Sequence, residues 1–426
     1  MLAVKREPMH HDALGHGAAA VALHLGDRPQ VGPIGDAEAL QRSFAPPPDA
    51  AKPWAYRWWI KGNVTEASIV RDLDAMKRVG FAGLLLFDAR GYHEDHLPPP
   101  PAAMEFMSPR WRQMVRFSLD EAAKRGLEVS VNLSSCAGAL RGPWPVGDGA
   151  PKKLAWATAS LDGGGPVRLD LPKGDWSQAW DVAVIAARQD GAAAAEVVDL
   201  TSLAADGRLA WDAPPGRWTL YRFVTTALAG HADDVDILDA AAVAAYFDRM
   251  GGALLEDAGP RAGKTLSHFY SVSWEGAVPT WTGDFEQAFR RYRGYDPRRW
   301  LPVLAGFTVD SDEASARFLT DYRRARNDCF RDRFYGTMQT LSHRAGLGWH
   351  AESGGPWVRR PEVFGEADQL AFLARTDMPQ GEFWFTGSAD HRGRQMSRPQ
   401  AMTAHTYGRP LAAAEAFTHM VRHWTA

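Results

Sequence analysis

Four short apolar segments in the second half of the chain each run straight into a glutamate: His268–Gly276 (HFYSVSWEG), Gly348–Gly355 (GWHAESGG), Met378–Phe385 (MPQGEFWF) and Leu411–Thr418 (LAAAEAFT). The glutamates are Glu275, Glu352, Glu382 and Glu415. Burying a carboxylate without a partner is costly, so four at the ends of apolar runs call for a cause. One is an ordinary ion pair with an arginine, which accounts for any single glutamate. The other is a shared site in which carboxylates donate and accept protons or hold a hard cation.

The elements that must position them follow a strand–helix rhythm. Trp54–Lys61 reads as a strand. Thr65 is an N-cap candidate for a helix over Glu66–Arg78, with apolar positions at Ile69, Leu73 and Met76. Phe81–Phe87 (FAGLLLF) is a continuous apolar run, as expected of a strand covered on both faces. Ser108–Pro109 opens a second helix, and Leu127–Leu133 is the third strand. Between Leu154 and Val224 the helical period disappears, and turn signals (DGGGP, PKGDW, APPGRW) separate short alternating runs. Helix resumes at Asp239–Glu256, then strand at Thr265–Ser273, a long helical stretch at Ala314–Ala345, strand at Leu347–Ala351, and the last two glutamate-bearing strands.

This pattern predicts an α/β fold of the (β/α)8 TIM-barrel type, incomplete at about seven strands, with a small inserted antiparallel β domain. The expected organisation is an irregular lead-in over 1–50, a first barrel part over 51–153, the β-rich insertion over 154–228, and a second barrel part over 229–426 lacking the last strand. The missing strand reads as the mark of a fragment, since an open parallel barrel leaves unpaired edges.

Composition narrows the function. With 48 basic and 51 acidic residues, a net charge of −3 gives no electrostatic case for nucleic acid or an anionic membrane. The basic run Arg290–Arg299 (RRYRGYDPRR) reads as a solvated helix end and turn. Seventeen tryptophans suit a sugar cleft, because a flat apolar ring complements the C–H face of a pyranose. Cys136 and Cys329 have no metal-ligand spacing, and the His93/His96 pair lacks a third ligand nearby. No run reaches the roughly 18 apolar residues of a membrane helix. The N-terminus lacks a tidy leader, so the location is open: periplasmic or secreted if a misassigned start removed a signal peptide, cytoplasmic otherwise.

Several stretches resemble the glycoside hydrolase family 106 α-L-rhamnosidases: Trp58–Gly83, Met107–Leu133, Arg141–Trp144, Ser273–Thr282, Arg293–Pro302, Glu352–Pro356, Glu382–Trp384 and Ala404–Thr418. The resemblance runs in order from about residue 54 to the end, although family members are roughly twice as long. It implies removal of terminal α-L-rhamnose with inversion, assisted by calcium near the sugar hydroxyls. An inverting glycosidase needs a protonated acid on the leaving oxygen and a second carboxylate about 6.5–9.5 Å away to activate water. Glu275, closing the fourth strand, is assigned as acid and Glu415, closing the seventh, as base, with the roles exchangeable. Trp274 would raise the acid's pKa by excluding water. Glu382 is the expected calcium ligand, with Glu352 a further carboxylate for metal or sugar. Asp88, Asn132, His350, Glu352, Trp384 and His405 complete the expected sugar contacts. Each has a plainer reading as an ion pair, core residue or loop brace. A non-catalytic sugar-binding remnant and a zinc- or manganese-dependent barrel hydrolase stand as alternatives.

Overall fold

The computed structural model describes residues 38, 41, 44, 47–90, 98, 100–135, 140–188, 196–272, 279–351, 369–383 and 398–416. The chain divides into residues 1–50 and 51–426. In the first unit, positions 38, 41 and 44 are helical, where the sequence predicts an irregular lead-in.

In the second unit, five parallel strands pair in the order β1 (Trp54–Ile60), β2 (Gly83–Ala89), β3 (Glu128–Asn132), β9 (Leu266–Ser271) and β10 (Gly348–Ala351). Strands β11 (Gln380–Phe383) and β12 (Ala413–Ala416) form a second parallel pair. The strand expectations near 56, 84, 130, 269, 349, 380 and 413 are therefore met. Closure into a barrel is not: the seven strands fall into two separate ladders among the described residues. The fold is α/β, and the eight-stranded barrel is not confirmed.

Local chemistry explains the elements around the sheet. In helix α1 (Glu66–Arg78) the Thr65 hydroxyl accepts from the Ser68 amide, and Ser68 Oγ in turn accepts from the Thr65 amide, a reciprocal cap. Helix α2 (Pro109–Arg125) starts at Ser108, whose hydroxyl accepts from the Trp111 amide, and ends at Gly126 with φ 60°. Asp239 caps helix α3 (Ala240–Ala258) through the Ala241 and Ala242 amides.

The two faces of the parallel sheet differ. Trp59, Leu84, Leu86, Val129, Val131, Phe269 and Trp349 join the large core shared with Trp111, Leu119 and Phe247 of the helices. Leu85, Phe87, Ala89 and Tyr270 form a smaller apolar patch on the opposite, inner face. The long helical stretch expected at 314–345 is α4 (Asp312–Cys329), a π turn at Phe330–Tyr335 and α5 (Gly336–Arg344).

The insertion is antiparallel, as expected. Strand β4 (Lys152–Asp170) pairs with β8 (Arg208–Ala227) along nearly its whole length, and β8 also pairs with β5 (Trp180–Arg188), which carries β6 (Glu196–Asp199). A two-residue strand, β7 (Ala204–Ala205), lies beside β8. One face of this sheet (Ala183, Ile185, Tyr221, Phe223) joins the main core, and the other (Val184, Ala186, Trp218, Leu220) has its own.

Candidate functional site

The inner face is built around a chain of polar side chains that crosses the strands. Gln380 of β11 donates from Nε2 to the Tyr56 hydroxyl of β1 at 3.0 Å. Its Oε1 therefore faces His350 Nδ1 of β10, 2.9 Å away, and that nitrogen carries the ring proton. The other nitrogen, Nε2, then accepts from the Ser130 hydroxyl of β3 at 2.7 Å. Tyr56 and Tyr270 hydroxyls lie 3.1 Å apart. Burial, reinforced by nearby His268, pushes the His350 pKa down to about 3, so the ring is neutral.

Two further contacts fix β11, which among the described residues has no ladder to β10. Just before it, Asp377 exchanges bonds with Trp349 of β10: its amide donates to the Trp349 carbonyl and its Oδ2 accepts from the Trp349 amide, both at 2.8 Å. On the outer side, a Cβ on Gly381 would lie 2.4 Å from the Gln400 side chain of helix α6 (Arg398–Thr406). Position 381 thus faces the helix, and positions 380 and 382 share the inner face by the two-residue alternation of a strand.

The register of the last two strands is the central observation. Gln380 pairs with Ala413, Gly381 with Ala414, and Glu382 with Glu415. Paired residues in adjacent parallel strands lie on the same face, so two carboxylate-bearing positions stand side by side, about 5 Å apart at the backbone.

The other expected site residues fall out differently. Asn132 ends β3 on the inner face, 3% exposed; its Nδ2 donates to the Ser134 carbonyl at 2.8 Å and its Oδ1 accepts from the Val272 amide at 3.4 Å. It braces the exit of β9, the strand that leads to Glu275. His350 is on the inner face but 1% exposed with both ring nitrogens engaged, so it supports the site from beneath and presents no free edge to a sugar. Asp88 is turned the other way. It meets Trp111 Nε1 (2.7 Å) and Arg90 Nε (2.7 Å) under helix α2, so its placement is that of an anchor in the helical layer, contrary to the expected sugar contact. Burial raises its carboxyl to about 6 despite these two donors. His405, expected in a loop, lies exposed within helix α6. Trp274, Glu275, Glu352 and Trp384 lie outside the described residues.

Sequence reasoning passed over Trp58. It lies on the inner face near the carboxyl end of β1, 43% exposed and packed on Phe87 with ring centroids 4.9 Å apart, as a sugar-stacking ring would be. Tyr56, Ser130 and Gln380 were also missed. The available signal was polar residues set among apolar ones within these strands, as with Tyr56 in WAYRWWI and Ser130 in EVSVN.

Arginine pairing accounts for the basic run: Arg290 with Asp296, Arg298 with Glu286 and Arg299 with Asp310. No helix among the described residues is long and apolar enough to cross a membrane. A cavity of about 430 Å³ lies where α2 meets α3, lined by Met107, Arg112, Arg116 and Asp257. Its charges are already paired, Asp257 being held by Arg112 and Arg116.

A hard cation needs six to eight oxygens. Glu382 and Glu415 supply two acidic positions in register, but no cluster of three or more potential ligands occurs among the described residues. The donor type fits calcium, and further oxygens would have to come from the segments that follow the strands.

The sequence model of the α-L-rhamnosidases of glycoside hydrolase family 106 matches residues 45–178 and 174–426. A putative beta-glucuronidase of Formosa agariphila is 26% identical over 424 residues, covering 89% of this chain and 35% of that protein. The solved structure of a rhamnosidase from Novosphingobium sp. PP1Y shares 23% identity and a TM-score of 0.75, over 91% of this chain and 54% of that one. The chain thus spans about a third of the first relative and about half of the second. At this identity the second likeness speaks for the fold. With its two matched segments extending from residue 45 to the last residue, the chain belongs to glycoside hydrolase family 106, the α-L-rhamnosidase family.

Proposed function

We propose that this chain carries the catalytic carboxylates of a glycosidase that removes terminal α-L-rhamnose with inversion. The observation that carries the reading is the in-register pair Glu382–Glu415 on the inner face, in a chain of this family. Neighbouring positions about 5 Å apart at the backbone put like charges side by side, whereas an inverting pair needs carboxyls about 6.5–9.5 Å apart with a water between them. In this reading Glu415 is paired with Glu275, and Glu382 has another task. Glu275 protonates the glycosidic oxygen as the bond to the anomeric carbon breaks. Glu415 takes a proton from the water that attacks the opposite face, so the α-linked sugar leaves as the β anomer.

Two neighbouring carboxylates repel, which raises the pKa of one and would spoil a base. Calcium held by Glu382, with Glu352 as a further oxygen donor, would offset that charge and orient sugar hydroxyls. Trp58, Trp274 and Trp384 would bound the sugar with apolar surface.

The test offers the chain an aryl α-L-rhamnoside and an aryl β-glucuronide, the latter prompted by the curated relative's name. Product configuration is followed by NMR. Rhamnoside turnover releasing the β anomer first is expected, with Glu275→Gln and Glu415→Gln each lowering kcat by about 10²–10⁴-fold. Turnover of the glucuronide alone refutes the substrate, release of the α anomer refutes inversion, and binding without turnover leaves a sugar-binding module.

A further inference from the structure

The polar chain on the inner face has no role in the reaction just described. It nevertheless touches four of the five strands of the main ladder and one strand of the separate pair. Tyr56, Ser130, Tyr270 and His350 belong to the five-stranded ladder, and Gln380 belongs to β11. No ladder joins β11 to β10 or β12 to β1 among the described residues. Beyond its pairing with β12, the position of β11 therefore rests on the Gln380 side chain on the inner face, on Gly381 packed against Gln400 on the outer face, and on Asp377 at its entry, which bonds Trp349 through both its backbone amide and its carboxylate.

Gln380 is suited to this task. Its amide makes one donor and one acceptor bond at once, in opposite senses, so an incorrect slide or rotation of β11 breaks both. It is 4% exposed, and His350, its partner, is 1% exposed, so water does not replace the bond between them, whereas the bond to Tyr56 is partly buried. Glu382 lies two residues farther along the same strand, paired with Glu415. A shift by one residue would move position 382 to the outer face.

We propose that Gln380, with His350 and Tyr56, forms a positioning clamp that locks β11, and β12 through it, in the register that presents Glu382 and Glu415 on the inner face. These are positioning residues that touch no substrate. The catalytic consequence rests on the function proposed above, whereas the structural one does not.

The experiment measures hydrogen–deuterium exchange on the full 426-residue chain carrying Gln380→Leu, and separately the milder Tyr56→Phe, which removes only one arm of the clamp. Losing two net hydrogen bonds should speed exchange in 380–383 and 413–416 by about tenfold or more, with a smaller change for Tyr56→Phe and none in 83–89 and 128–132. Unchanged exchange in β11 and β12, or an equal rise in all strands, overturns the clamp. Kinetics on the aryl rhamnoside form the second arm: Gln380→Leu should lower kcat by about 10²-fold with KM nearly unchanged. A raised KM with kcat intact would make Gln380 a sugar contact and also overturn it. If the unmodified chain turns nothing over, the proposed activity falls while the exchange data still decide the clamp.

Discussion

Replacing Asp88 by alanine tests the reassignment of this residue from the sugar cleft to the helical layer. The wild-type carboxylate, with a side chain 0% exposed, accepts from Trp111 Nε1 at 2.7 Å and from Arg90 Nε and Nη2 at 2.7 and 3.3 Å. Alanine strands the indole N–H, on a tryptophan 1% exposed, at a cost of about 1–3 kcal/mol. Arg90 is 23% exposed and partly recovers solvent, so its loss sits at the low end of the roughly 1.5–3 kcal/mol of a charged bond. The expected total is about 3 kcal/mol at pH 8, read from the urea midpoint at constant m-value. Asp88→Asn keeps an acceptor for Trp111 and should cost about 1–2 kcal/mol. The acidic limb adds a sign. The folded pKa, about 6, is above the usual carboxylate value, so this group's contribution is greatest at low pH and is lost as pH rises through 6. Wild type should therefore gain on Asp88→Asn between pH 8 and pH 5, by about 1.4 kcal/mol. A loss below about 1 kcal/mol for alanine, or equal losses for the two variants, would refute the anchor. So would an alanine variant of unchanged stability whose KM for a rhamnoside rises.

Three other outcomes are expected. His350 has a folded pKa near 3, below its unfolded value, so its contribution is present above about 6.5 and fades as pH falls; the cost of His350→Gln should shrink by about 2 kcal/mol from pH 7 to pH 5 in urea titrations, and a constant cost would refute a neutral ring. Burial pushes the Asp236 carboxyl up to about 7, although its Oδ1 accepts from the Leu238 amide. Its contribution is thus present below the usual carboxylate range and lost by about pH 7, so Asp236→Asn should look better at pH 8 than at pH 5, and the reverse order would sink this assignment. Gly381→Ala should cost about 1–3 kcal/mol through the Gln400 clash, and Gln400→Ala should relieve much of it in a double-mutant cycle.

Much of the frame was legible because its signals are local. Thr65 with Ile69 and Leu73, Ser108–Pro109 and Asp239 mark helix starts that the backbone honours. The turn-rich stretch from 154 announced the antiparallel insertion. Asp88 was misplaced for a physical reason: GLLLFDA is buried on both faces, so alternation cannot say which face its last polar residue takes. His405 was expected in a loop although the sequence before it, Ser397–Arg398–Pro399–Gln400, carries a helix-start signature; the backbone is helical over Arg398–Thr406, with Thr403 and Ala404 buried. The clamp was invisible for another reason. Gln380 and Tyr56 are 324 residues apart in sequence, and each looks like an ordinary strand residue until the fold brings them together.

The long hairpin of the insertion bears on how the chain folds. Lys152 is the register partner of Ala227, so the segment returns to its starting point. Strands β3 and β9 must pair in parallel although the whole insertion and α3 separate them in sequence. Once β4 and β8 have zipped, the ends of the insertion are tied, and the chain that β3 and β9 must close is shorter by the insertion's length. An antiparallel hairpin forms from neighbours outward, whereas a parallel crossover meets its loop-closure cost before any contact rewards it. The β4–β8 pairing is thus a kinetic shortcut: weakening its sequence-nearest pairs around Asp170 and Arg208 should slow assembly of the parallel sheet more than it lowers the sheet's final stability.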